Sequence, residues 1–149
     1  DAERENDDNK SVSSVNRSSE MLSADDIWTM ITQGDYPDSA LIRIAELKEN
    51  LNLTEKGWQD LAREGNPLVI CGILCDWLDQ LNEPVLRTQD VSVLIENVTD
   101  SGRALLRLEK SSKCFLEYIM LVVSKFDITS LRLRQEALEF FLSYLCQKR

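Results

Sequence analysis

Asn66-Pro67-Leu68-Val69-Ile70-Cys71-Gly72-Ile73-Leu74-Cys75-Asp76-Trp77-Leu78-Asp79-Gln80-Leu81 is apolar on almost every side as far as Cys75, then narrows to Trp77, Leu78 and Leu81. A helix that is greasy all round belongs in the middle of a fold, with other elements wound about it. Asn66 can cap it, Pro67 suits its first turn, and Asn82-Glu83-Pro84 breaks it, so the spacing predicts a helix over 67–81.

Upstream, Ser23-Ala24-Asp25-Asp26 has the form of a capping box, with Ile27, Met30 and Ile31 following at helical spacing until Gly34 to Pro37 interrupt. Asp38 is the expected cap of a second helix with Leu41, Ile44, Leu47 and Leu51. Thr54 is the expected cap of a short third one with Trp58 and Leu61, and Gly65 its expected left-handed stop. Downstream, Thr88 is placed as the cap of a helix bearing Val91, Leu94 and Ile95, and a sixth starts between Thr99 and Ser101 with Leu105, Leu106 and Leu108. Ser111 or Ser112 caps the seventh, with Cys114, Phe115, Tyr118, Ile119, Val122 and Phe126 as its stripe. Thr129 or Ser130 caps the last, with Leu131, Arg134, Leu138, Phe141, Leu142 and Leu145 on one side and Lys148-Arg149 at its negative end. The expected fold is all-α, a single bundle of about eight helices over residues 22–149. Residues 1–21 are acidic and rich in Ser and Asn, with only Val12 and Val15 to bury, and read as a disordered tail whose serines are open to phosphorylation. There is no internal repeat.

A chain of 149 residues with 43% apolar side chains is long enough to bury roughly two-thirds of its unfolded surface without staples. Only five Gly and three Pro argue against an all-β chain with frequent turns. Twenty-six acids against seventeen bases give a net charge of −9, a field that repels phosphate backbones and anionic lipid headgroups. Nucleic acid and membrane surfaces are therefore excluded as expected partners, and no apolar run reaches membrane length. No basic region leads into an apolar run, so no signal peptide is expected. Cys71, Cys75, Cys114 and Cys146 all fall in apolar helical stretches, which predicts reduced core thiols and an intracellular, cytoplasmic setting. In that setting the sequon-like triplets at Asn9, Asn16, Asn52 and Asn97 carry no weight.

Reactive constellations are scarce. Histidine is absent, which removes the usual proton shuttle and the commonest zinc nitrogen ligand. Cys71 and Cys75 share a helix face but stand among Leu and Ile, so packing is expected of them and not metal binding. A cysteine phosphatase needs Arg six residues after its nucleophile; Trp77, Leu81 and Met120 stand at that distance from Cys71, Cys75 and Cys114. There is no Gly-rich phosphate loop, nucleophile elbow or dinucleotide fingerprint. Asp25, Asp26, Asp76 and Asp79 read as solvated helix surface. Trp28, Trp58 and Trp77 read as core or core-edge residues, any exposed one being an anchor for a protein partner. No catalytic residue, metal or cofactor is expected.

The run from Asn66 to Leu86 resembles the helix and following turn of RhoGAP domains, the match lying at Leu81, Glu83, Pro84 and Val85. That resemblance implies a helical module meeting a small GTPase. The Lys and Arg that such a helix presents to the GTPase become Cys75 and Asp79 here, and Ala62-Arg63-Glu64-Gly65 does not match the arginine-finger loop. A closer likeness, over about residues 23 to 126, is to the C-terminal region of the protein tyrosine phosphatase domain-containing protein 1 family, which is linked to cilia. It is carried by the Pro-led apolar helix with its Trp, Leu81-Asn82-Glu83-Pro84-Val85, the capped Asp90-Val91, Ala104-Leu105 and Leu108-Glu109-Lys110. It implies a region separate from the family's phosphatase domain. The expectation is a non-catalytic interaction or scaffolding module of a larger phosphatase-like protein. Its partner is a protein, a small GTPase or a ciliary or centrosomal component, docking near Trp77, Asp79, Glu83 and Pro84. The alternatives are a divergent GTPase-activating domain with Arg63 or Arg103 as finger, and a purely structural or dimerising bundle.

Overall fold

In a computed structural model that describes residues 22–148, eight helices and no strand form among the described residues. They are α1 (Ala24–Gln33), α2 (Asp38–Leu53), α3 (Glu55–Ala62), α4 (Pro67–Gln80), α5 (Thr88–Glu96), α6 (Ser101–Arg107), α7 (Lys110–Lys125) and α8 (Leu131–Leu145). The tail expected over 1–21 lies outside the described residues.

The central position expected of α4 follows from its side chains. Leu68, Val69, Cys71, Gly72, Ile73, Cys75 and Leu78 are buried, and α4 packs against α1, α2 and α8. Gly72 faces Ile44 of α2: a Cβ there would stand 2.5 Å from Ile44 Cδ1, so the bare backbone leaves room for that side chain. Trp28, 1% exposed, is the largest side chain of the core and meets Phe126 and Phe141 edge-on at centroid distances of 5.0 and 5.6 Å. Its indole N–H meets no acceptor among the described residues. An orphan donor costs ~1–3 kcal/mol, so it is the burial of the whole indole, added to two ring contacts of ~0.5–1.5 kcal/mol each, that holds it there.

Several helix ends follow the expected chemistry. The Ser23 hydroxyl accepts from the Asp26 N–H, and Asp26 Oδ2 accepts from both the Ser23 hydroxyl at 2.6 Å and the Ser23 N–H at 3.1 Å; these bonds, the hydroxyl's first, lower the Asp26 carboxyl from its ordinary value. Gly34 closes α1 in the left-handed region at φ 71°. Thr54, Asn66 and Ser130 cap α3, α4 and α8.

Others differ from expectation. Pro37, not Asp38, precedes α2, and Asp38 lies in the first turn, where the helix dipole favours its carboxylate. Gly65 is not left-handed, because α3 closes earlier through tight bonds from the Arg63 N–H to the Gln59 and Asp60 carbonyls. Arg87 precedes α5 in place of Thr88, its N–H donating to Asp90 Oδ2 at 2.9 Å. Glu109 precedes α7, with Ser111 and Ser112 already inside it, and the Ser112 hydroxyl is engaged with Val85.

The stripes of the last two helices are rotated from those expected. Ser112, Leu116, Ile119 and Val123 are the buried positions of α7, leaving Cys114 and Tyr118 in solvent. Leu133, Ala137, Phe141 and Leu145, each four residues apart, are those of α8, leaving Leu131 and Leu142 exposed. Ala137 lies on the inward side and is fully buried.

Candidate functional site

The Pro84 turn is fixed by α7, by the end of α8 and by Gln147 beyond it. After α4 stops, Gln147 Nε2 donates to the carbonyls of Leu78 and Leu81 at 3.0 and 2.8 Å, satisfying C-terminal acceptors that α4 leaves open. The Leu86 N–H donates to the Leu145 carbonyl at 2.9 Å with its side chain fully buried. The Ser112 hydroxyl donates to the Val85 carbonyl at 3.0 Å. Residues 81–86 are thus tied to both α7 and the end of α8.

Between this turn and α7 lies an open cleft of about 270 Å³, lined by Trp77, Glu83, Pro84, Val85, Arg87, Glu109, Ser111, Ser112 and Phe115. Trp77 is 49% exposed, and its ring stacks on Phe115 at a centroid distance of 6.2 Å and an interplanar angle of 22°. Glu83 and Arg87, four residues apart, are paired at 2.8 Å. The backbone carbonyl of Glu109 accepts from the Lys113 N–H at 2.9 Å, while its side-chain carboxylate makes no hydrogen bond or ion pair among the described residues.

Three of the four expected docking residues, Trp77, Glu83 and Pro84, line this one cleft, and Asp79 does not. Two residues along a helix is a turn of about 200°, which carries Asp79 away from Trp77. Asp79 stands instead four residues from Cys75, on whose thiol its charge acts. Phe115 is expected as stripe, Ser111 as a cap, and Glu109 only as part of the block that carries the family likeness; no periodicity in the sequence could join residues 77, 84 and 115, because their meeting is tertiary.

The four cysteines are free thiols. Cys71 and Cys75 are buried, with their sulfurs 4.0 Å apart, and the Cys71 hydrogen bond together with burial pushes the Cys75 thiol far up. Burial, with the two thiols nearby, likewise raises the Tyr36 hydroxyl. Such a cluster is inert packing near neutral pH. Cys114, expected in the core, is exposed, while Cys146 is half-buried and raised by that burial. Trp58, expected at the core edge, is 61% exposed on α3. Arg63 and Arg103 are exposed, at the end of α3 and on α6. Among the described residues no group of three or more His, Cys, Asp or Glu side chains is gathered for a metal, and no helix is long and apolar enough to cross a membrane.

No family model matches the chain, and no solved structure does. Curated relatives do. Protein tyrosine phosphatase domain-containing protein 1 of Mus musculus is 35% identical over 63 residues, 42% of this chain and 8% of the relative. The Bos taurus protein of that name is 30% identical over 66 residues, 44% of this chain and 8% of the relative. The Danio rerio protein is 34% identical over 71 residues, 48% and 10% of the two chains. The matched stretch thus spans about a tenth or less of these relatives. The expected family likeness is met by these relatives, and the family to which this chain is similar is protein tyrosine phosphatase domain-containing protein 1.

Proposed function

We propose that this chain is a non-catalytic protein-docking module of a larger phosphatase-like protein, RhoGAP-like in build, working inside the cell at the cilium or centrosome, with the Trp77 cleft as its docking face. The observation that supports this most is the half-exposed Trp77, stacked on Phe115 beside a turn held by three separate tethers. A large aromatic held in place loses little entropy on binding, which is what an interface anchor requires. The test is a pull-down from ciliated cells with the whole chain and with Trp77→Ala, both checked for helix content by circular dichroism. A partner retained by the wild type and lost by folded Trp77→Ala is the expected result; equal retention removes this face from the proposal.

A second reading, a divergent GTPase-activating domain, is favoured by one feature: Arg63 and Arg103 are exposed and their guanidinium groups form no ion pair among the described residues, as a finger requires. An arginine finger contributes ~10³-fold or more in rate. Single-turnover GTP hydrolysis with Rho, Rac, Ras and Arf types is the measurement, and a flat result ends that reading.

A further inference from the structure

We propose that the Trp77 cleft takes a polypeptide segment presenting a Lys or Arg beside an apolar anchor, the cation lying along the open side of the indole and toward the Glu109 carboxylate. This rests on the docking reading above and names the chemistry of the partner.

Three charged residues line the cleft, and their pairing is unequal. Arg87, the only cation lining it, is already engaged by Glu83 at 2.8 Å, while the Glu109 carboxylate is left with no partner among the described residues. The cleft therefore has an unspent negative charge and no unspent positive one. Phe115 stacks along Trp77, and the indole nevertheless stays 49% exposed. An exposed indole face attracts a guanidinium or ammonium group through its quadrupole, and the alkyl stem of such a residue packs on the same ring. Pro84 and Val85 supply the apolar wall for a neighbouring side chain, and the Ser111 hydroxyl is available at the rim, whereas that of Ser112 is spent on Val85.

Size and field narrow the occupant further. Drug-sized ligands fill pockets of ~300–1,000 Å³, so an open cleft of about 270 Å³ suits one or two side chains of a peptide better than an enclosed small molecule. The net charge of −9 opposes anionic segments. It also argues against the chain's own residues 1–21, where acids outnumber bases.

The test selects phage-displayed random peptides on the whole chain. Retained peptides are then titrated by calorimetry against the wild type, Glu109→Gln, Glu109→Lys and Trp77→Ala, at two salt concentrations. The expected peptides carry Lys or Arg next to Leu, Phe or Trp. Their affinity falls roughly tenfold in Glu109→Gln, the size of one lost charge-assisted bond, falls further in Glu109→Lys, and weakens with salt. Glu109 is exposed, so its variants report even if Trp77→Ala fails to fold. Peptides that need Trp77 but carry no basic residue and ignore Glu109→Gln overturn this inference and leave the docking reading standing. Peptides indifferent to Trp77 as well, in a folded variant, overturn both. Trp77-dependent self-association in light scattering overturns the peptide occupant in favour of a second copy.

Discussion

The helices α1, α4 and α8 pack on one another in all three pairings, whereas α5 and α6 make their main helix contact with each other. Seven of the fourteen residues of α4 are buried; α5 buries only Asp90 and α6 only Ala104. Both regions are helical, so helix formation is not what separates them. Stability is concentrated where side chains are removed from water on several sides, and α5 with α6 forms a satellite whose local opening costs less than global unfolding. The cleft belongs to the first region, through Trp77 on α4 and the tethers from Ser112, Leu145 and Gln147.

The largest effect is therefore expected in α4. Leu78 is 1% exposed, and Leu78→Ala should cost ~2–5 kcal/mol, the transfer term plus a cavity that a close-packed centre cannot refill. Urea unfolding followed by far-ultraviolet circular dichroism measures it. A loss under ~1 kcal/mol would mean that α4 is not the centre and would dissolve the contrast with α5 and α6.

Gly57 extends the tightly packed region to α3. A Cβ there would stand 2.5 Å from the backbone carbonyl of Asn50, and backbone cannot swing aside as the end of a side chain can. Gly57→Ala should thus destabilise by ~1–3 kcal/mol, although alanine is the better helix former. Gly72→Ala meets only side-chain atoms of Ile44, Cδ1 at 2.5 Å and Cγ1 at 3.3 Å, which can turn aside, and should cost less. Measuring the two side by side separates a backbone clash from a side-chain one.

A smaller, pH-dependent effect is expected between α3 and α4. The Asn66 backbone N–H, and then Arg43, hold the Glu64 carboxyl below its ordinary value of 4.5. A depressed carboxylate stabilises the fold above its unfolded value, and that contribution is lost as pH falls through the folded one. Glu64→Gln should lower the thermal midpoint slightly at pH 7 and converge with the wild type in acid, well below 4.5. A difference that persists at low pH would trace to packing and not to the charge.

How much of this was legible beforehand follows from the kind of signal each feature carries. The helix over Pro67–Gln80 is written in consecutive apolar residues, and its Asn66 cap and Pro67 start are local chemistry, so both could be read from neighbours in sequence. The side of α8 that turns inward could not. Leu131 and Leu142 are as apolar as Leu133 and Leu145, so hydropathy alone does not decide between them, and the choice rests on where α8 meets its neighbours. Trp77, Glu83 and Pro84 could be singled out because the helix and turn that carry them resemble the GTPase-facing part of RhoGAP domains. Their convergence with Phe115 and Glu109 depends on where α7 lies, which no spacing encodes.

The smallest expected effect gives the sharpest test of the contrast. Ile95 and Leu106 are 68% and 79% exposed on α5 and α6, so neither gains much from the fold that serine would forfeit. Ile95→Ser and Leu106→Ser should each stay within about 0.5 kcal/mol of the wild type, as surface substitutions do. Amides of α5 and α6 should meanwhile exchange with solvent faster than those of α4 in native-state hydrogen exchange. A cost above about 1 kcal/mol for either serine, or protection equal to that of α4, would mean that these side chains are covered in solution. The α5–α6 hairpin would then be an interface in its own right, and the Trp77 cleft would no longer be the obvious place to seek a partner.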